Sequence, residues 1–179
     1  MKIIFLDIDG VLNNQIFYTE RSQGERNPDG VKTLGGDIDE RCVALLNHLI
    51  EQTGAKVVIS STWRHSGIEY CREHLEAKGF KGEIIDVTPG LRHEGCVRGN
   101  EIHHWINKNA EMLCGSRVGA DFKEYVIFDD DGDMLLWQRN NFILVDSYCG
   151  LTPNQCYRAK FILCPEMKYS DSFNKTKEE

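Results

Sequence analysis

Five short apolar runs, separated by stretches with helical spacing, constrain the fold of this chain more than any other feature. The runs occupy 2–6 (Lys-Ile-Ile-Phe-Leu), 56–60, 83–87, 125–128 and 141–145, the third being the least apolar. A short apolar run without alternation reads as a strand buried on both faces. Between the runs, Cys42, Leu45, Leu46, Leu49 and Ile50 form one helical stripe. Asp39 and Glu40 stand at its positive end and Gly54 closes it. Ile68, Cys71 and Leu75 predict a shorter helix closed by Gly79, and Ile102, Trp105 and Ile106 one that starts near Arg98. Thr152-Pro153-Asn154-Gln155 opens the last helix with a hydroxyl cap, a proline at the first helical position and a glutamine to complete a capping box. Strands alternating with helices imply right-handed crossovers. The expected fold is therefore α/β, a three-layer sandwich with a mostly parallel sheet. In such sheets, ligands bind beyond the carboxyl ends of the strands.

The 179 residues fit one domain, expected over 1–164, with a polar, flexible tail over 165–179. Residues 13–37 are polar and glycine-rich without a clear period, which reads as a long, flap-like loop. The net charge of −7 excludes a generic basic nucleic-acid binder, although Arg21, Arg26, Lys32, Arg64 and Arg92 would form a local positive rim if that loop folds over the site. No apolar run approaches the ~20 residues that span a bilayer. A strand at the very N-terminus and seven scattered cysteines without a Cys-x-x-Cys pair point to a reducing cytoplasm, with the cysteines mostly buried as small hydrophobes. His93, Cys96, His103 and His104 match no usual zinc spacing, and with His65 they read as surface or core residues.

The chemistry concentrates at the strand ends. The first strand ends in Asp7-Ile8-Asp9-Gly10, which sends two carboxylates to one side before Gly10 turns the backbone away. The fourth ends in Asp129-Asp130-Asp131-Gly132-Asp133, which a parallel sheet brings to the same edge. So much negative charge calls for a hard cation with oxygen ligands, Mg²⁺ above all. Asp7 beside that ion is a suitable nucleophile for phosphorus, and Asp9 is placed to protonate the leaving oxygen. The second strand ends in Ser60-Ser61-Thr62-Trp63-Arg64, whose hydroxyls and free N–H groups suit phosphate oxygens, and Arg98 opens a helix where its cation would steady developing charge.

This ordered set, with Asp7-x-Asp9-Gly10-Val11-Leu12 as its most specific element, resembles the haloacid dehalogenase (HAD) superfamily over roughly residues 1–163. Ser60 to Arg64, the 129–133 run and Val145-Asp146-Ser147 followed by Gly150-Leu151-Thr152 look like the small HAD domains associated with RNA-repair proteins. The resemblance implies a Rossmann-like fold and a Mg²⁺-dependent phosphomonoesterase working through an aspartyl-phosphate. Asp7 would be the nucleophile and Asp9 the general acid and base. Ser60, with Ser61 beside it, would bind the phosphate. Asp7, the carbonyl of Asp9, and Asp129 or Asp130 would hold the metal. Two features depart from the family pattern. Arg98 stands where the family usually has lysine, Lys108 lying too far along the helix. The second acid of the last motif aligns as Asp130 or as Asp133, with Asp129 the favoured direct ligand.

No insertion is long enough for a separate cap domain, so the site would stay open to a bulky substrate such as a nucleic-acid end. A phosphotransferase or mutase, which would need an acceptor pocket, and a silent phosphate-binding module are the alternatives. Arg64 reads as a substrate contact or a structural ion-pair partner, and Asp146 as a support to the site. Trp63 and Trp105 read as core residues.

Overall fold

The computed structural model describes residues 1–23, 37–91 and 95–167. Five strands, β1 (Ile3–Leu6), β2 (Lys56–Ile59), β3 (Ile84–Val87), β4 (Tyr125–Asp129) and β5 (Phe142–Leu144), form one sheet in the order β3-β2-β1-β4-β5. Every neighbouring pair is parallel. Among the described residues six α-helices accompany them: α1 (Gln15–Gln23), α2 (Glu40–Thr53), α3 (Ile68–Glu76), α4 (Arg98–Lys108), α5 (Ala110–Cys114) and α6 (Pro153–Leu163).

Each residue of β1 is fully buried, and successive side chains enter opposite layers. Ile4 and Leu6 join the core built with Leu46 and Leu49 of α2, Leu75 of α3 and Leu163 of α6. Ile3 and Phe5 join the core built with Ile102, Trp105 and Ile106 of α4. There the Phe5 ring meets Trp105 edge-on at 5.4 Å. Trp105 is therefore core, as its spacing implied, with its indole N–H donating to Asp86 at 2.6 Å. The Rossmann-like three-layer architecture matches the sequence expectation.

The helix ends follow the expected chemistry. Asp39 caps α2 by accepting from the Arg41 N–H at 2.9 Å, and Gly54 closes it in the left-handed region at φ 66°. Thr152 and Gln155 form the capping box of α6, with Pro153 at its start.

Several readings are corrected. The supposed loop 13–37 begins with helix α1, which has no apolar stripe. Its start is held instead by Asn14, whose side-chain oxygen accepts from the Phe17 N–H at 2.8 Å, and by the Ser147 and Tyr148 carbonyls, which accept from Gln15 and Ile16. The short helix α5 had no periodic signal either. All seven cysteines are free, but only Cys42, Cys71 and Cys164 are fully buried, and Cys114 is exposed. Residues 24–36, 92–94 and 168–179, and with them Arg26, Lys32, Arg92, His93 and most of the expected tail, lie outside the described residues. Of the rim residues that are described, Arg21 pairs with Asp37 at 3.2 Å and Arg64 is buried. Arg21 remains exposed, whereas the buried Arg64 does not belong to a surface rim. Among the described residues no helix is long and apolar enough to cross a membrane.

Candidate active site

The register fixes where the chemistry gathers. Leu6 pairs with Ile59 on one side and Phe128 on the other, so Asp7, Ser60 and Asp129 follow at one edge of the sheet. The strand order reverses there as well, β2 and β3 lying to one side of β1 and β4 and β5 to the other. Backbone bonds extend the alignment by one residue. The Asp7 N–H donates to the Phe128 carbonyl at 3.0 Å, and the Ser60 N–H to the Leu6 carbonyl at 2.9 Å. Beyond Asp7 the chain turns sharply, with Gly10 at φ 77°. A β-carbon on Gly10 would collide with the Asp130 carboxylate, so only glycine lets these two segments meet.

Three carboxylates converge. One oxygen each from Asp7, Asp129 and Asp130 lies within 4.8 Å of the others, and among the described residues no histidine or cysteine joins such a group. Arg98, at the first position of α4, donates to Asp7 at 2.8 Å and approaches Asp129 at 3.2 Å. Burial raises the Asp7 pKa despite the opposing Arg98 charge. Asp129 is pushed up to about 7, first by burial and then by the Asp7 charge. Burial opposes the Arg98 cation, but Asp129 and Asp7 outweigh it and keep it charged. One guanidinium against this many carboxylates leaves a negative, mostly dry cradle. The buried Asp129 oxygen that faces Arg98 is held by that ion pair and makes no hydrogen bond. That is the environment of a hard divalent cation, and the residues present fit Mg²⁺.

Asp9 lies in the turn after β1 and is not one of the three converging carboxylates. One of its oxygens accepts from the Asn13 side-chain amide at 2.9 Å and the other from the Trp63 indole N–H at 3.0 Å. Trp63 is thus half-buried and touches the proposed acid–base group, a link that its core-like reading missed. Asp9 and Asp130 line an open cleft of about 470 Å³ shared with Asn14, Tyr18, Asp146 and Tyr148. Asp146 reaches this cleft with its carboxylate bound to the Tyr148 N–H at 2.9 Å.

The two serines differ. The Ser60 hydroxyl is buried with no partner, whereas the Ser61 hydroxyl caps the 3₁₀ turn Thr62–Ser66 through the Trp63 N–H. Asp133 stands apart from the converging carboxylates, its carboxylate accepting from the Arg98 N–H at 3.0 Å. Arg64 turns inward to Glu101 at 2.7 Å, the structural ion pair that was one of its two readings, and does not line the cleft.

Residues 3–156 match the family model described as the HAD domain in Swiss Army Knife RNA repair proteins. No curated protein and no solved structure matches the chain. The matched span carries every residue of the cradle, its motifs fall in the expected order on the expected strands, and the chain belongs to this family of HAD domains.

Proposed function

We propose that the chain is a Mg²⁺-dependent phosphomonoesterase that works through an aspartyl-phosphate on Asp7. The observation that carries this reading is the convergence of Asp7, Asp129 and Asp130 beside Arg98 and the unpartnered Ser60 hydroxyl. An Asp7 oxygen attacks phosphorus as the bond to the leaving alkoxide breaks, and Asp9 delivers a proton to that oxygen. Water then attacks the phosphorus of the aspartyl-phosphate, Asp9 takes its proton, and inorganic phosphate leaves as the Asp7 carboxylate is restored. Arg98 and Ser60 hold the phosphoryl oxygens through both steps. Mg²⁺, held by Asp7, Asp129 and Asp130 with the Asp9 carbonyl, would offset the repulsion between carboxylates and phosphate oxygens.

The family's description names RNA repair proteins, and a phosphorylated RNA end is the substrate that we infer from that setting. The absence of a cap among the described residues, with the cleft open beside Asp9, suits such a bulky molecule. The test is hydrolysis of acetyl phosphate and of 3′- and 5′-phosphorylated oligoribonucleotides with Mg²⁺ or with EDTA. Metal-dependent turnover that Asp7→Asn abolishes is expected. Tight binding of phosphorylated RNA without turnover would show a silent binding module instead.

A further inference from the structure

We propose that Arg64 and Glu101 are a positioning pair that sets the phosphate loop against Arg98; the proposal rests on the phosphatase reading above. Their side chains are 2% and 0% exposed, and they meet at 2.7 Å. One terminal nitrogen of Arg64 donates to the Ser60 carbonyl at 2.6 Å and to the Ser61 carbonyl at 2.9 Å. The other donates to Glu101, whose second oxygen accepts from the Leu91 N–H at 2.9 Å. Glu101 lies one turn after Arg98 on α4, and Leu91 lies in the segment after β3. One ion pair therefore ties together the end of β2, the segment after β3 and the start of α4.

Stability alone does not account for this arrangement. Removing two charges from water costs several kcal/mol per ion, and replacing a buried pair by apolar side chains of similar volume is often neutral or stabilising. The pair supplies direction instead. The planar guanidinium reaches two carbonyls and a carboxylate at once, a pattern that a lysine ammonium on its flexible stem does not reproduce. With the Ser60 and Ser61 carbonyls held inward and Glu101 one turn from Arg98, the Ser60 hydroxyl and the Arg98 cation keep a fixed separation. A displacement of about 1 Å in such a pair costs on the order of a hundredfold in rate.

The decisive variant is Arg64→Met with Glu101→Leu, which removes both charges together. It is expected to melt at or above the wild-type temperature. Its affinity for tungstate, a tetrahedral oxyanion, measured by calorimetry with Mg²⁺ present, should fall at least tenfold. Turnover of acetyl phosphate should lose at least tenfold in kcat with an unchanged Mg²⁺ dependence. A folded double variant with wild-type tungstate affinity and kcat would overturn the proposal, as would wild-type protein that binds no tungstate. Should the double variant not fold, Glu101→Gln decides by the same titration, weakened binding supporting the pair and unchanged binding overturning it. Wild-type protein that binds tungstate but hydrolyses no phosphate would refute the phosphatase reading, while the tungstate comparison would still decide the pair.

Discussion

At the scale of single residues, the account turns on how Asp9 is held. Its two oxygens accept from the Trp63 indole N–H and the Asn13 side-chain amide, two neutral donors that orient the carboxylate. Trp63→Phe keeps the ring against Tyr70 and His74 but deletes the N–H. The bond is exposed and contributes about 1 kcal/mol to stability, so the melting temperature should fall by only about 2–4 °C, whereas a misoriented Asp9 should lower kcat on the order of tenfold. Steady-state kinetics with a thermal melt checks both. Asp7 and Asp9 were legible because two acids and a glycine directly after a buried apolar run stand out in the local sequence, although Asp9 already lies in the turn beyond β1. The link from Trp63 to Asp9 was not, because it joins residues 54 positions apart and no local pattern encodes it.

At the scale of elements, strand ends were legible and clamps were not. Buried apolar runs announce their own limits, so the polar residues just after them, Asp7, Ser60 and Asp129, stood out. Helix α1 escaped detection because its entry depends on Asn14 and on carbonyls contributed by residues 147 and 148, with no stripe of its own. The Asn14 cap was the one local signal that would have found it. Arg64 drew attention as a cation close to the phosphate loop, yet its partner Glu101 lies on another element and only the folded chain pairs them. Asp133 has a comparable supporting role at the start of α4, accepting from the Arg98 N–H. Asp133→Ala should destabilise the chain by about 1 kcal/mol, the usual effect of losing a helix cap. Urea unfolding should show this loss, and Asp133→Asn should recover most of it.

At the scale of the molecule, the layers carry a pH signature independent of the active site. Burial pushes the Cys71 thiol up to about 11 and the Cys156 thiol up to about 12. The unfolded chain releases these protons near the ordinary thiol value of 9.0, whereas the folded chain keeps them. Their contribution is therefore full below pH 9 and is lost as pH rises towards 11. Urea midpoints should fall across that window, and Cys71→Ala should make the fall shallower. The sheet order was legible as a class, since alternating strands and helices admit few topologies. The identity of the converging carboxylates was not, because Asp130 and Asp133 are three residues apart in one acidic run and only the turn after β4 separates their directions. The proposed chemistry depends on Asp7 capturing a phosphoryl group. Its most direct test is an acid-quenched single turnover with acetyl phosphate and Mg²⁺, followed by mass spectrometry of the peptide that contains Asp7. This peptide is expected to gain the mass of one phosphoryl group, a gain absent in Asp7→Asn. Turnover with no such adduct at any quench time, or with the adduct on another residue, would contradict it.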